Sequence, residues 1–508
     1  MTPAITSRIP ATWICLLVLL AVGAAWVRLH ELGARPMHAD EANQAVKLGA
    51  LIERGEYAFD PYDHHGPTLY YFARVTAWVR GEHRLAELTE VTVRLTPALF
   101  GVVGVVLLAV AALPLGQRAA LMAASLLAIS PAAVYFSRYF IQETLLMTFT
   151  LAAWVAGVLA FRSRQVGWAV VTGLMLGLMQ ATKASAPLFI VAALLAWWGS
   201  RWNLKPSGIS AGSELPSPDQ ERQAGRPRKE GKTLFLWGAL GFVAAFVTFY
   251  SSFFTHARGV IDALATYAPM GGRVSTGESG HDKPWWYYGE LFWRHRRGGY
   301  LWDQNLFLGL SLLGLVWNAF CRNRTARGVS LYLVVVGLAL ALTPYKTPWV
   351  VIHLVPPMAM LSGWVLGNIS ERWKSWAEAP VIIVFLSVLL SLGFQVQRAV
   401  FQRPADSRNP FAYVHSSPDV RKAELLAERA ADGTIQVISE EYWPLPWYLR
   451  KQDQQVGYWT TVPQACDGAL LFVSPTFVEE VRSKLKGNYR EGFIGLRPGF
   501  VLVTFQKE

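Results

Sequence analysis

Runs of apolar residues, most of them free of charge, recur along this chain near 11–29, 94–113, 118–137, 143–161, 166–183, 184–200, 233–254, 304–320, 328–344, 347–367 and 379–397. A helix needs about twenty such residues to cross the hydrocarbon core of a bilayer. Inside that core every backbone N–H and C=O must bond within the segment, which leaves the helix as the only form for an isolated run. The pattern therefore predicts an α-helical polytopic membrane protein of about eleven transmembrane helices. Only 16% of the residues are charged, against about a quarter in soluble proteins.

Loop charge orients the spans. With the N-terminus inside, the inside segments 1–10, 113–118, 161–165, 200–232, 321–327 and 367–378 hold 16 Lys/Arg against 6 Asp/Glu, an excess that accounts for most of the net charge of +12. Basic residues collect on the cytoplasmic side. The reading is therefore a protein of the inner or plasma membrane with a cytoplasmic N-terminus. An odd number of spans then puts the C-terminal part outside. The first run also resembles the apolar region of a signal peptide; read as a retained helix or as a cleaved signal, it leaves the next loop outside.

The same distribution excludes nucleic acid as a partner, because the basic excess is scattered over short loops and forms no domain of its own. Cys15, Cys321 and Cys466 form no pair or ligand motif. Residues 1–397 thus form a membrane core with extracytoplasmic loops at 30–92 and 255–303. Residues 203–232, rich in Ser, Gly, Pro and charge, read as a disordered cytoplasmic linker. Within the first loop, Ala42, Val46, Gly49 and Ile52 share one helical face, and Leu69, Phe72, Val75, Thr76 and Val79 another, which suits helices lying along the membrane surface. Residues 398–508 alternate helical stretches (419–431, 476–485) with β-rich runs (434–439, 469–473, 500–505), a small extracytoplasmic α/β domain.

The middles of the spans carry no ionisable residue, unlike ion-coupled carriers with a midplane site. Ionisable residues gather at outer helix ends: Asp40 and Glu41, Arg94, Arg138 and Glu143, Lys183, Lys346. That arrangement suits a substrate with an anionic head at the interface and a lipid tail in the bilayer.

His38-Ala39-Asp40-Glu41-Ala42 after the first span resembles the acidic first-loop motif of the GT-C superfamily, in particular protein O-mannosyltransferases and lipid A aminoarabinose transferases. Arg94-Leu95-Thr96-Pro97, Ser137-Arg138-Tyr139 with Glu143, Ala181-Thr182-Lys183 and Lys346-Thr347-Pro348-Trp349 fit the same pattern. Asp63-His64-His65-Gly66-Pro67 and Lys283-Pro284-Trp285-Trp286-Tyr287-Tyr288 resemble the flippase-activity-associated members of that branch. The resemblance implies a GT-C-type core and a glycosyltransferase that moves a sugar from a polyprenyl-phosphate donor to a protein, lipid or glycan acceptor. The alternative it leaves open is a translocase for lipid-linked sugars, or a subunit assisting one, without transferase activity.

The resemblance also makes Asp40 the general base. Lys183, Lys346, Arg138 and Arg94 supply fixed positive charge for the departing phosphate. Glu41 and Glu143 are further catalytic candidates, orienting the acceptor or, with Asp40, holding a divalent metal ion. His38, His65, Tyr139, Trp285 and Trp286 are candidates for substrate binding. Plain structural roles compete with each assignment. Asp40 and Glu143 suit helix N-termini, the cations suit interfacial anchoring, and the histidines before Gly66-Pro67 suit a turn. The tryptophans suit an aromatic belt.

Overall fold

A computed structural model describes residues 9–55, 57–62, 65–201, 226–268, 271, 281–321, 323–430 and 433–508. Most of the chain is helix. The helices are α1 (Ala11–Leu29), α2 (Ala39–Arg54), α3 (Thr68–Val79), α4 (Glu90–Ala112), α5 (Gln117–Ala128), α6 (Pro131–Ser137), α7 (Glu143–Ser163), α8 (Val166–Thr182) and α9 (Ala186–Gly199). They continue with α10 (Arg226–Tyr250), α11 (Gly259–Ala265), α12 (Tyr287–Glu290), α13 (Asn305–Cys321), α14 (Arg324–Leu342) and α15 (Val355–Val396).

Each of the eleven apolar runs falls on helix, and the protein is an integral membrane protein. Among the described residues seven helices are long and apolar enough to cross a membrane, and α8, α9 and the start of α13 are shorter apolar helices. The expected span 118–137 is a bent pair, α5 and α6, meeting at 57°. Pro131 opens α6 and, lacking an N–H, ends the ladder of α5 there. The linker assigned to 203–232 lies largely outside the described residues, and its last residues already belong to α10. Helical backbone runs through the expected loop at 367–378, between the spans Pro348–Ser370 and Glu378–Gln402. There Arg118 donates to both Ser370 Oγ (2.8 Å) and Glu378 Oε1 (3.0 Å).

Small residues let the spans approach closely, as they do where no hydrophobic drive holds helices together in lipid. A Cβ on Gly173 of α8 would lie 1.8 Å from the Gly238 carbonyl of α10.

Two short helices of the first loop position the site. His38 is the N-cap of α2, with Glu41 completing a capping box, and Gly55 ends the helix at φ 70°. The expected cap at Asp40 is thus two residues late. α2 buries Ala42, Ala45, Leu48, Gly49 and Leu51. α3 buries Leu69, Tyr70, Ala73 and Ala77, whereas Val75, Trp78 and Val79 stay exposed. The apolar residues of α3 therefore divide between a buried and an exposed face, where a single face was expected.

A hairpin, β1 (His295–Arg297) with β2 (Tyr300–Trp302), precedes α13. The C-terminal part holds α16 (Lys422–Arg429), α17 (Leu445–Tyr448), α18 (Val478–Lys484) and a five-stranded sheet. Its strands β3 (Ile435–Ile438), β4 (Val456–Trp459), β5 (Leu470–Val473), β6 (Tyr489–Arg497) and β7 (Phe500–Lys507) lie in the order β4-β3-β5-β7-β6. β3 pairs in parallel with β4 and β5, and β7 pairs antiparallel with β5 and β6. Both fully buried strands, β3 and β5, were legible as apolar runs.

Candidate active site

A buried ion cluster forms under the start of α2. Arg94, near the start of α4, donates Nε to Glu41 Oε1 and Nη2 to Glu41 Oε2, both at 2.8 Å. Its remaining N–H groups reach the carbonyls of Leu32 (3.1 Å), Arg35 (2.8 Å) and Pro36 (3.0 Å). Glu41 Oε1 also accepts from Arg35 Nη2 (3.2 Å) and the Phe140 N–H (2.9 Å), and Oε2 from the His38 N–H (3.2 Å). Neither the Arg94 nor the Glu41 side chain has any exposure. Burial alone would raise the Glu41 pKa, yet the Arg94 and Arg35 guanidiniums and these hydrogen bonds hold it well below the carboxylate range.

This geometry corrects three sequence assignments. Arg94 is engaged by a carboxylate and three carbonyls inside the protein, not presented to a donor phosphate. Arg138, also buried, donates to the carbonyls of Val27, Arg28, His30 and Glu31, and so closes the C-terminus of α1. Glu41 carries five donors and has no surface from which to take an acceptor's proton; it fixes the turn that bears Asp40.

Asp40 itself points the other way, and 43% of its side chain is exposed. His38 Nε2 lies 3.0 Å from the Tyr413 carbonyl, which can only accept, so this nitrogen carries the hydrogen. Nδ1 is then free to accept the Asp40 N–H at 3.0 Å. That tautomer is neutral, and the 3.8 Å approach of Nδ1 to Asp40 Oδ2 is accordingly no ion pair. His38 is buried, and its ring packs against Tyr139, which is buried too. Both shape the wall behind Asp40.

A second pair stands close by. Glu143, the first residue of α7, is ion-paired with Lys183 at the end of α8; Glu143 is buried and 21% of the Lys183 side chain is exposed. Lys183 is bridged to His65 along the backbone, and the Gly66 N–H donates to the Thr182 carbonyl at 3.1 Å. A Cβ on Gly66 would fall 2.1 Å from the Ala181 carbonyl, so only glycine allows this approach. Burial and the Lys183 ammonium pull the His65 imidazole down to about 4, opposed by the Asp40 and Glu143 carboxylates. His65 thus lies within electrostatic reach of both carboxylates and of Lys183. Half-buried Lys47 of α2 acts on it as well, its own amine lowered by burial to about 8.

The other expected residues are distributed around this centre. Lys346 is buried and donates to the Lys283 carbonyl (3.2 Å) and that of Thr343, so it pins the 281–283 segment to the entry of the span Pro348–Ser370. Trp285 and Trp286 stack edge to face and stand exposed beside α12. His64 lies outside the described residues. Among those described, no three His, Cys, Asp or Glu side chains assemble as a metal-binding set. Glu143, the acid expected to share a divalent ion with Asp40, is ion-paired with Lys183.

Sequence reasoning missed Arg35, Lys47, His281 and Tyr413. A basic residue in a loop expected outside is the signal that could have found Arg35. Lys47 shares a helical face with Asp40, seven residues earlier. His281 and Tyr413 had no such signal, since only the fold brings the C-terminal region to the first loop.

Residues 64–211 match the family model of dolichyl-phosphate-mannose-protein mannosyltransferases. Among solved structures, the chain resembles ArnT from Cupriavidus metallidurans bound to undecaprenyl phosphate, with a TM-score of 0.61 at 16% identity over 98% of each chain. It also resembles the Archaeoglobus fulgidus oligosaccharyltransferase in complex with Zn and sulfate, with a TM-score of 0.54 at 12% identity over 95% of this chain and 72% of that one. No curated sequence matches the chain. At these identities the structural likeness is one of fold. That fold is shared over nearly the whole chain, and the family-model match covers residues 64–211 of the 508.

Proposed function

We propose that the protein transfers a sugar from a polyprenyl-phosphate donor to a hydroxyl acceptor, with Asp40 as general base. The observation that carries this reading is the contrast among three carboxylates. Glu41 is sealed under two arginines and Glu143 is buried on Lys183, whereas Asp40 is open and held by its backbone on the His38 cap. As the acceptor oxygen attacks the anomeric carbon, its proton passes to an Asp40 oxygen. The bond from that carbon to the phosphate oxygen breaks, and the phosphate leaves with the electron pair.

Lys183 is the cation best placed to stabilise that phosphate, being partly exposed and next to the carboxylates that define the centre. Lys47 adds a second positive charge on the same side. An apolar groove of about 490 Å³ between α3 and α10, lined by Tyr71, Phe72, Val75, Trp78, Phe249 and Phe253, with Arg74 at its edge, suits a lipid substrate. The loop charge balance supports a cytoplasmic N-terminus with the site and the C-terminal domain outside. Cysteine-accessibility labelling at residue 215 and in the C-terminal domain tests this, and a C-terminal domain protected from impermeant reagent in intact cells refutes it.

The decisive assay uses purified protein in liposomes with a radiolabelled polyprenyl-phosphate hexose and cell-envelope acceptor. Label moving into the acceptor, and failing to do so with Asp40→Asn, is the expected result. Transbilayer movement of unchanged donor without transfer replaces the enzyme by a translocase.

A further inference from the structure

The segment that follows the last span returns to the first loop. Tyr413 connects that loop to the 281–283 segment of the loop before the hairpin. Its carbonyl accepts from His38 Nε2, the bond that sets the His38 tautomer and so the acceptor for the Asp40 N–H. Its hydroxyl lies 2.7 Å from His281 Nδ1, and its ring stands edge-on to Trp349 with centroids 6.1 Å apart. The side chain is half-buried, and burial followed by the Asp40 carboxylate raises its phenol pKa. Asp40 acts on His281 as well, opposing the effect of burial on that imidazole. Both partners of the Tyr413–His281 bond therefore sit within electrostatic reach of Asp40.

The backbone beside Tyr413 is strained. Val414 has φ 45°, a left-handed conformation that a β-branched residue avoids. Its side chain is half exposed and buries little in return. The conformation directs Tyr413 and His415 to the same wall: the His415 ring is 5.5 Å from that of His38, and His415 is buried. Strain of this kind persists where the surrounding structure enforces it.

We propose that Tyr413 is a positioning residue for the Asp40 base. Its carbonyl locks the His38 cap, and its hydroxyl, tied to His281, holds the 281–283 segment against the wall behind Asp40. This rests on Asp40 being the base, and the test separates the two. Tyr413→Phe keeps the ring and the carbonyl and removes only the hydroxyl, so it preserves the packing. It is expected to lower kcat about fivefold, the worth of one ordinary hydrogen bond, with donor KM unchanged. His281→Ala, which removes the same bond from the other end, should give the same loss, and the double variant no more than either alone.

In an Asp40→Asn background the Tyr413→Phe effect should vanish. Val414→Gly, which tolerates φ 45° without strain, should keep wild-type turnover. If Asp40→Asn is inactive while Tyr413→Phe and His281→Ala both turn over normally, the positioning role falls and the base survives. If Asp40→Asn turns over normally, the base reading falls; a Tyr413→Phe loss that persists in that background then overturns the link to Asp40. A change confined to KM also overturns it.

Discussion

Replacing Arg94 by alanine separates a phosphate ligand from a keystone of the fold. In the structure Arg94 has no exposed surface and satisfies both Glu41 oxygens and three carbonyls of the first loop. Removing it leaves Glu41 buried with Arg35, the Phe140 N–H and the His38 N–H, but without its bidentate partner. Breaking one side of a buried pair costs about 3–5 kcal/mol, and three orphaned carbonyls add to that. If the loss appears fully in the unfolding barrier, heat inactivation in detergent accelerates by roughly two to three orders of magnitude or more, at ~1.4 kcal/mol per tenfold. Arg94→Lys does little better, because an ammonium cannot reproduce the fork.

The assay is the half-life of monodisperse protein at fixed temperature, followed by size exclusion, with donor binding measured on the surviving fraction. Arg94→Ala with wild-type half-life and lost donor affinity refutes the argument and returns Arg94 to the phosphate.

Asp40→Asn should leave the half-life intact while turnover falls by ~10²–10⁴-fold, the usual share of general-base catalysis; the readouts are label transfer and equilibrium donor binding. Lys183→Ala should weaken donor binding and also shorten the half-life, because it strands the buried Glu143 carboxylate; Lys183→Ala with Glu143→Gln should recover the half-life and not the binding. Gly66→Ala should cost stability and activity together, since its Cβ collides with the Ala181 carbonyl and lifts the loop off α8; wild-type activity in that variant contradicts the described approach. Glu41 is held below its unfolded pKa, so its stabilisation is complete above pH ~4.3 and declines as pH falls further. Wild-type half-life should therefore shorten below that pH, and Glu41→Gln should flatten the decline.

The membrane core was legible because twenty-residue apolar runs have one structural solution, and α2 because a capped amphipathic pattern follows α1. The roles of its charges were less legible. Asp40 and Glu41 are adjacent and chemically alike, yet on a helix they point about 100° apart, one to the interior and one to the open side. Nothing local states which is which until Arg94, 53 positions later, takes one of them. Strand β6 was missed because Tyr-Arg-Glu-Gly-Phe-Ile-Gly-Leu-Arg mixes charge and glycine on an exposed edge, and β4 because four half-buried residues give no clear period.

The clamp between the C-terminal region and the first loop has a consequence for biogenesis. Besides His38 and Tyr413, Arg421 Nη2 donates to the Gly33 carbonyl (2.7 Å) and the Met37 N–H to Tyr448 Oη (2.9 Å), contacts spanning 375, 388 and 411 positions. Translation delivers residues 33–38 first and their partners only after the last span has left the ribosome. Throughout insertion the His38 cap therefore waits without the carbonyl that sets its tautomer. A nascent chain holding every membrane helix is still an unfinished site, and the last fifth of the protein closes it.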